Sequence, residues 1–107
     1  MLIYVSHPYG GLNKNKRSVE WTVKMLSQFY EDTFISPIHA VGFMYRMVSY
    51  EKGMKYCLDL LSACEQMIVC PGWTGSKGCM IEYDFCRSRN INVVTLDEFI
   101  QMKEEKK

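Results

Sequence analysis

The sequence predicts an α/β domain in three layers, with a mainly parallel sheet of four to five strands covered by helices on both sides. Three observations predict it. Short apolar runs alternate with longer stretches in which apolar residues recur at helical spacing, and that alternation calls for parallel strands joined by right-handed crossovers. The run Met67-Ile68-Val69-Cys70 is apolar without a break, as a strand covered on both faces requires. Glycine and proline gather after the first and third of these runs, which puts loops at one edge of the sheet.

Leu2–Ser6 is the first strand, and His7-Pro8-Tyr9-Gly10-Gly11 stops it. A helix follows from about Asn13 to Tyr30, since Val19, Val23, Leu26 and Phe29 or Tyr30 recur at helical spacing. Thr33–Ser36 is a second short strand, ended by Pro37. The stretch His39–Tyr50 is apolar and aromatic without a clear period and has room for a short helix. Gly53–Glu65 is helical, with Met54, Cys57, Leu58, Leu61 and Cys64 on one stripe. Gln66–Cys70 is the central strand, and Pro71-Gly72-Trp73-Thr74-Gly75 the loop after it. Ser76 suits the N-cap of a helix that runs to about Arg89, with Asn90 as its stop. Ile91–Thr95 is the fourth strand, and Leu96–Glu104 a last helix capped by Thr95 or Asp97. This order is Rossmann- or flavodoxin-like. In such sheets ligands bind beyond the carboxyl ends of the strands, here near residues 6–12, 37–52 and 71–76.

At 107 residues the chain is expected to be a single domain, residues 1–107. A domain this small folds alone with little margin, and a homodimer or higher homo-oligomer is expected. The net charge is +1 and the basic residues do not cluster, so no nucleic-acid partner is expected. Lys14, Lys16 and Arg17 form the densest basic group and fit a solvated helix face better than a phosphate patch. No stretch approaches the ~18–20 apolar residues that span a bilayer. The start has no secretory pattern, so no membrane association and a cytoplasmic location are expected. The five cysteines, at positions 57, 64, 70, 79 and 86, form no Cys-x-x-Cys pair. They fit buried thiols in a reducing compartment. His7 and His39 are the only histidines and lack metal-ligand spacing, so neither a metal nor a cofactor is expected.

Glu82 is the most informative residue. On a helical wheel of about 100° per residue, Gly78, Cys79, Phe85 and Cys86 make an apolar stripe with Glu82 at its centre. A carboxylate there is costly unless something pairs with it. It is either a structural group reaching a backbone amide or an arginine, or a reactive group of perturbed acidity beside a ligand. Gly72-x-x-Gly75-Ser76-x-Gly78 leads into the start of the same helix, where free N–H groups and the dipole favour an anion. Ser6, Tyr9, Gly10 and Gly11 lie in the first loop on that edge. Paired glycines permit close approach of a ligand there, and Tyr9 can stack on a base or sugar; a plain turn explains them equally well. Trp73 either closes over a base or is a packing anchor or oligomer contact, and Phe43, Met44, Tyr45 and Tyr50 either line the same cleft or form a hydrophobic lid or dimer face. As a second acid, Glu51 ranks above Asp59, which falls on the polar side of its helix.

Ile3-Tyr4-Val5-Ser6-His7-Pro8-Tyr9-Gly10-Gly11, the helix opening at Asn13, Cys64-Glu65 before a buried strand, and Pro71-Gly72-Trp73-x-x-Ser76-x-Gly78-x-x-x-Glu82 together resemble the nucleoside 2-deoxyribosyltransferase-like superfamily. The likeness is greatest to its small, largely uncharacterised bacterial and phage members and spans residues 2–95. The resemblance implies a nucleoside or nucleotide N-glycosidase or deoxyribosyltransferase. It implies Glu82 as the nucleophile at the anomeric carbon, Ser76 and Gly78 on sugar or 5′-phosphate oxygens, and Ser6, Tyr9 and Gly10 around the sugar. The other reading is a nucleotide-binding module that senses or sequesters its ligand without cleaving it. The relatives usually carry an aspartate where Cys64-Glu65 stands, and the aspartate that assists the leaving base has no clear counterpart here.

Overall fold

The computed structural model describes residues 1–106. Strands β1 (Leu2–Ser6), β2 (Thr33–Ile35), β3 (Gln66–Val69) and β4 (Asn92–Thr95) form one four-stranded sheet in the order β2-β1-β3-β4. Every neighbouring pair is parallel. The helices are α1 (Asn13–Phe29), α2 (Pro37–Ala40), α3 (Tyr50–Ser62), α4 (Lys77–Arg89) and α5 (Leu96–Glu105). The sheet thus takes four strands rather than five, and it is wholly parallel.

Side-chain alternation along the strands divides the core in two. Ile3 and Val5 face one layer, where they pack with Val19 and Leu26 of α1 and Phe99 of α5. Tyr4 faces the other, with Cys57 and Leu61 of α3 and Cys86 of α4. Strand β3 repeats the division, with Ile68 on the first side and Met67 and Val69 on the second. Each fully buried side chain of this size contributes about 1.5–3 kcal/mol.

Local chemistry sets the ends of the elements. Ser49 Oγ accepts from the Lys52 N–H at 3.1 Å, so α3 begins at Tyr50, four residues before Met54 opens the apolar stripe that betrayed it. Its first turn, Tyr50-Glu51-Lys52, is largely exposed and carries no apolar signal. Pro37 opens α2, where its fixed φ and missing N–H cost nothing. A 3₁₀ turn over Gly42–Met47 links α2 to α3. Ser76 Oγ accepts from Cys79 N–H at 3.3 Å to open α4, and Asn90, at φ 58°, closes it. Thr95, rather than Asp97, caps α5: Thr95 Oγ1 accepts from Glu98 N–H while Glu98 Oε1 accepts from Thr95 N–H. Among the described residues, no helix is long and apolar enough to cross a membrane.

The strand order fixes where a ligand can enter. The chain leaves β1 toward β2 on one side and returns past β1 to β3 on the other. The loops after β1 and β3 therefore diverge, and a crevice opens between them at the carboxyl edge.

Candidate functional site

The crevice is a cleft of about 830 Å³. Its walls come from the β1–α1 loop, the start of α1, the α2–α3 segment and the first turns of α3 and α4. Tyr9, Gly10, Gly11, Ser76, Gly78 and Glu82 all line it. Phe43, Tyr45 and Tyr50 line it too, all from the segment whose pattern the sequence left unclear.

Glu82 lies deep in the cleft with 5% of its surface exposed. The helix α4 stripe is Cys79, Glu82 and Cys86, all buried against the sheet. Opposite Glu82 on β1 stand Tyr4 and Ser6, two positions apart and therefore on one face. Ser6 Oγ donates to Glu82 Oε1 at 2.7 Å, and Tyr4 Oη donates to Oε2. Both hydroxyls are completely buried, so they reach a ligand only through the carboxylate they hold.

Burial raises the Glu82 pKa above the ordinary carboxylate value of 4.5, and the hydrogen bonds from Tyr4 and Ser6 pull it back only in part. Burial likewise raises the Tyr4 pKa well above that of a free phenol, and the charge on Glu82 raises it further. Tyr4 therefore stays a donor at every working pH.

The backbone around the cleft is shaped for close approach. Gly10 and Gly11 hold φ of 58° and 76°, a region unfavourable to other residues, and nothing lies within 4 Å of where a side chain would start. Asn15 Nδ2 donates to the Tyr9 carbonyl at 2.9 Å and pins that loop to α1. Tyr9 rests against Tyr45, with ring centres 6.0 Å apart. At Gly78 a Cβ would meet Met54 Sδ and Tyr50 Oη at 3.7 Å, an ordinary contact, so α4 and α3 come together here without requiring glycine.

Two residues singled out from the sequence stand elsewhere. Trp73 is half buried and turned onto Tyr83 of α4, with ring centres 5.1 Å apart, outside the cleft lining. The left-handed Gly72 and the 3₁₀ turn Trp73–Gly75 redirect the loop there. Glu51 is exposed and borders a separate groove of about 500 Å³ between α3 and α4. Because α3 starts at Tyr50, Glu51 sits in its first turn beside the positive end of the helix dipole. Asp59 borders the same outer groove and pairs with Lys55 at 2.8 Å. Glu82 is accordingly the one acid among the residues that line the cleft. Glu65 lies at the far edge of the sheet, where its Oε1 accepts from the Leu2 N–H at 3.1 Å and ties β1 to the start of β3.

Tyr4 escaped the sequence reading because it sits in an unbroken apolar run. The available signal was the pairing of Tyr4 with Ser6 at a spacing of two, which gives one face of β1 two hydroxyls. All five cysteines are free and buried, and Cys57 and Cys79 reach the cleft wall. Burial raises both of their pKa values, which keeps them as thiols. Among the described residues, no group of three His, Cys, Asp or Glu could hold a metal ion. His7 is engaged locally, its Nδ1 2.6 Å from the Pro8 carbonyl and its Nε2 3.1 Å from Ser18 Oγ.

Residues 1–95 match the family model described as a domain of unknown function, DUF4406. No curated protein matches the chain. Among solved structures the chain is similar to a 2-desoxiribosyltransferase from Leishmania mexicana, with a TM-score of 0.63 at 17% identity. The match covers 88% of this chain and 62% of that one. At that identity the likeness is one of fold: a parallel α/β sheet of the deoxyribosyltransferase type.

Proposed function

The chain belongs to the DUF4406 family, and we propose that it is a nucleoside or nucleotide N-glycosidase, or a 2-deoxyribosyltransferase, with Glu82 as its nucleophile. One observation carries the reading: a single buried carboxylate deep in the cleft, with each oxygen held by a hydroxyl. The fold of the 2-desoxiribosyltransferase supports it.

In this reading the ligand sugar lies over Glu82, between Gly10–Gly11 and Ser76–Gly78, with Tyr9 against its ring. Ionised Glu82 attacks the anomeric carbon while the bond to the base breaks. The base leaves with that electron pair and takes a proton from water. The resulting glycosyl ester is cut by water in a hydrolase, or by a second base in a transferase, and Glu82 is regenerated. Tyr4 and Ser6 are positioning residues: their hydrogen bonds aim the carboxylate and favour its charged form. Trp73 and Glu51 have no part in this scheme. The chain assembles as a homodimer or larger oligomer, with exposed Phe43 at the cleft and exposed Met47 in the same 3₁₀ turn offering apolar surface.

A second reading, a module that binds a nucleotide without cleaving it, is favoured by the absence of another acid from the cleft lining. Chromatography of ribo- and deoxynucleosides and their 5′-monophosphates, after incubation with wild type and with Glu82→Ala, separates the two. Release of free base by wild type alone is the expected result. Ligand-induced thermal shifts without base release would select the binding module. Release by both proteins would remove Glu82 from the chemistry.

A further inference from the structure

The charges around the cleft are unbalanced in a way the whole chain is not. The sequence holds 13 Lys and Arg against 12 Asp and Glu. The cleft lining holds Lys16, Arg46 and Lys77 against Glu82 alone. These cations come from three separate places: the first turn of α1, the 3₁₀ turn before α3, and the first residue of α4. All three residues are exposed, whereas Glu82 is buried, so the cations form a rim above a carboxylate floor.

None of the three forms an ion pair. Lys24, Lys55 and Lys103 each pair with a carboxylate, but among the described residues no ion pair involves Lys16, Arg46 or Lys77. Lys77 instead lies over the Tyr50 ring, 4.9 Å from its centre. Cations facing a shared cleft repel one another until an anion arrives. A free nucleoside brings none. A phosphate at the rim would meet all the attraction and stay away from the floor carboxylate, which would repel it. Arginine also offers a phosphate two parallel donors.

We propose that the cleft is built for a phosphorylated nucleoside, held by Lys16, Arg46 and Lys77 at its mouth, and that the free nucleoside is the poorer ligand. This rests on reading the cleft as a nucleoside site and adds the charge that site selects.

The test compares a nucleoside 5′-monophosphate with its matching nucleoside, by kcat/KM for base release and by calorimetric Kd. The proteins are wild type, Lys16→Ala, Arg46→Ala, Lys77→Ala and, as a control charge outside the cleft, Lys24→Ala. Wild type is expected to prefer the nucleotide about tenfold or more, and each rim variant to lower that preference about two- to fivefold, the size of one exposed charge contact. Lys24→Ala should leave the preference unmoved, and added salt should narrow it. Equal constants for the two ligands, or a preference that all three rim variants leave intact, would overturn the inference. Tight nucleotide binding without base release would overturn cleavage and uphold the phosphate rim. Equal base release from both ligands would do the reverse. Binding of neither ligand would overturn both.

Discussion

Glu82 sits against a hydrophobic layer, and the fold bears a cost for holding it there. Its folded pKa lies above the value of 4.5 it would have in an unfolded chain, because burial outweighs the help from Tyr4 and Ser6. As pH rises past 4.5, the unfolded chain gives up that proton first, so stability falls until the folded form ionises as well. Glu82→Gln keeps the shape and carries no charge at any pH. Its Tm should therefore match wild type near pH 4 and exceed it near pH 8 by several degrees, since about 1 kcal/mol moves Tm by about 4–8 °C in a domain of this size. Equal melting curves at both pH values would show that Glu82 is no less at ease ionised in the folded protein than in water. At this scale much of the site was legible. Glu82 betrayed itself because a helix repeats its faces over many residues and one acid breaks the pattern. Tyr4 did not, because a strand apolar on both faces hides which side each residue takes. Trp73 stayed open between ligand, packing and partner contacts, because one left-handed glycine, Gly72, decides where a loop points, and no periodicity records it.

Among the elements, the starts of the last two helices do different work. Thr95 and Glu98 form a complete reciprocal cap at the start of α5, away from the cleft. Ser76 caps α4 through one longer bond and also lines the cleft. Thr95→Ala should cost about 1 kcal/mol and lower Tm, with ligand affinity per folded molecule unchanged. Ser76→Ala should lower Tm by less and weaken ligand binding more. Paired thermal melts and calorimetric titrations check this, and a larger loss of Tm for Ser76→Ala would make it a structural cap first. The strands and helices were readable because alternation and helical spacing are local. The α2–α3 segment was not: its residues are shared between a four-residue helix and a 3₁₀ turn, both too short to set up a period. That same shortness hid the first turn of α3, from Tyr50 to Lys52.

For the whole molecule, the order β2-β1-β3-β4 creates the cleft before any side chain is chosen. What the residues add is a carboxylate on the floor, glycines on two walls and cations on the rim. Phe43 and Met47, in one 3₁₀ turn, are 78% and 83% exposed and offer apolar surface to a second copy. Light scattering at micromolar concentration is expected to give the mass of a dimer or larger assembly, and a clean monomer mass would leave Phe43 to the ligand.

The five thiols lead in another direction. Cys57, Cys64 and Cys86 lie in the layer under α3 and α4, and Cys70 in the layer under α1 and α5. Burial pushes the pKa of Cys64 up to about 11 and those of Cys70 and Cys86 up to about 12. Cys64, Cys70 and Cys86, which lie away from the cleft lining, do not react readily while the layers stay shut. A slow alkylating reagent therefore becomes a clock for each half of the protein, recording how often one layer lifts from the sheet while the other remains closed.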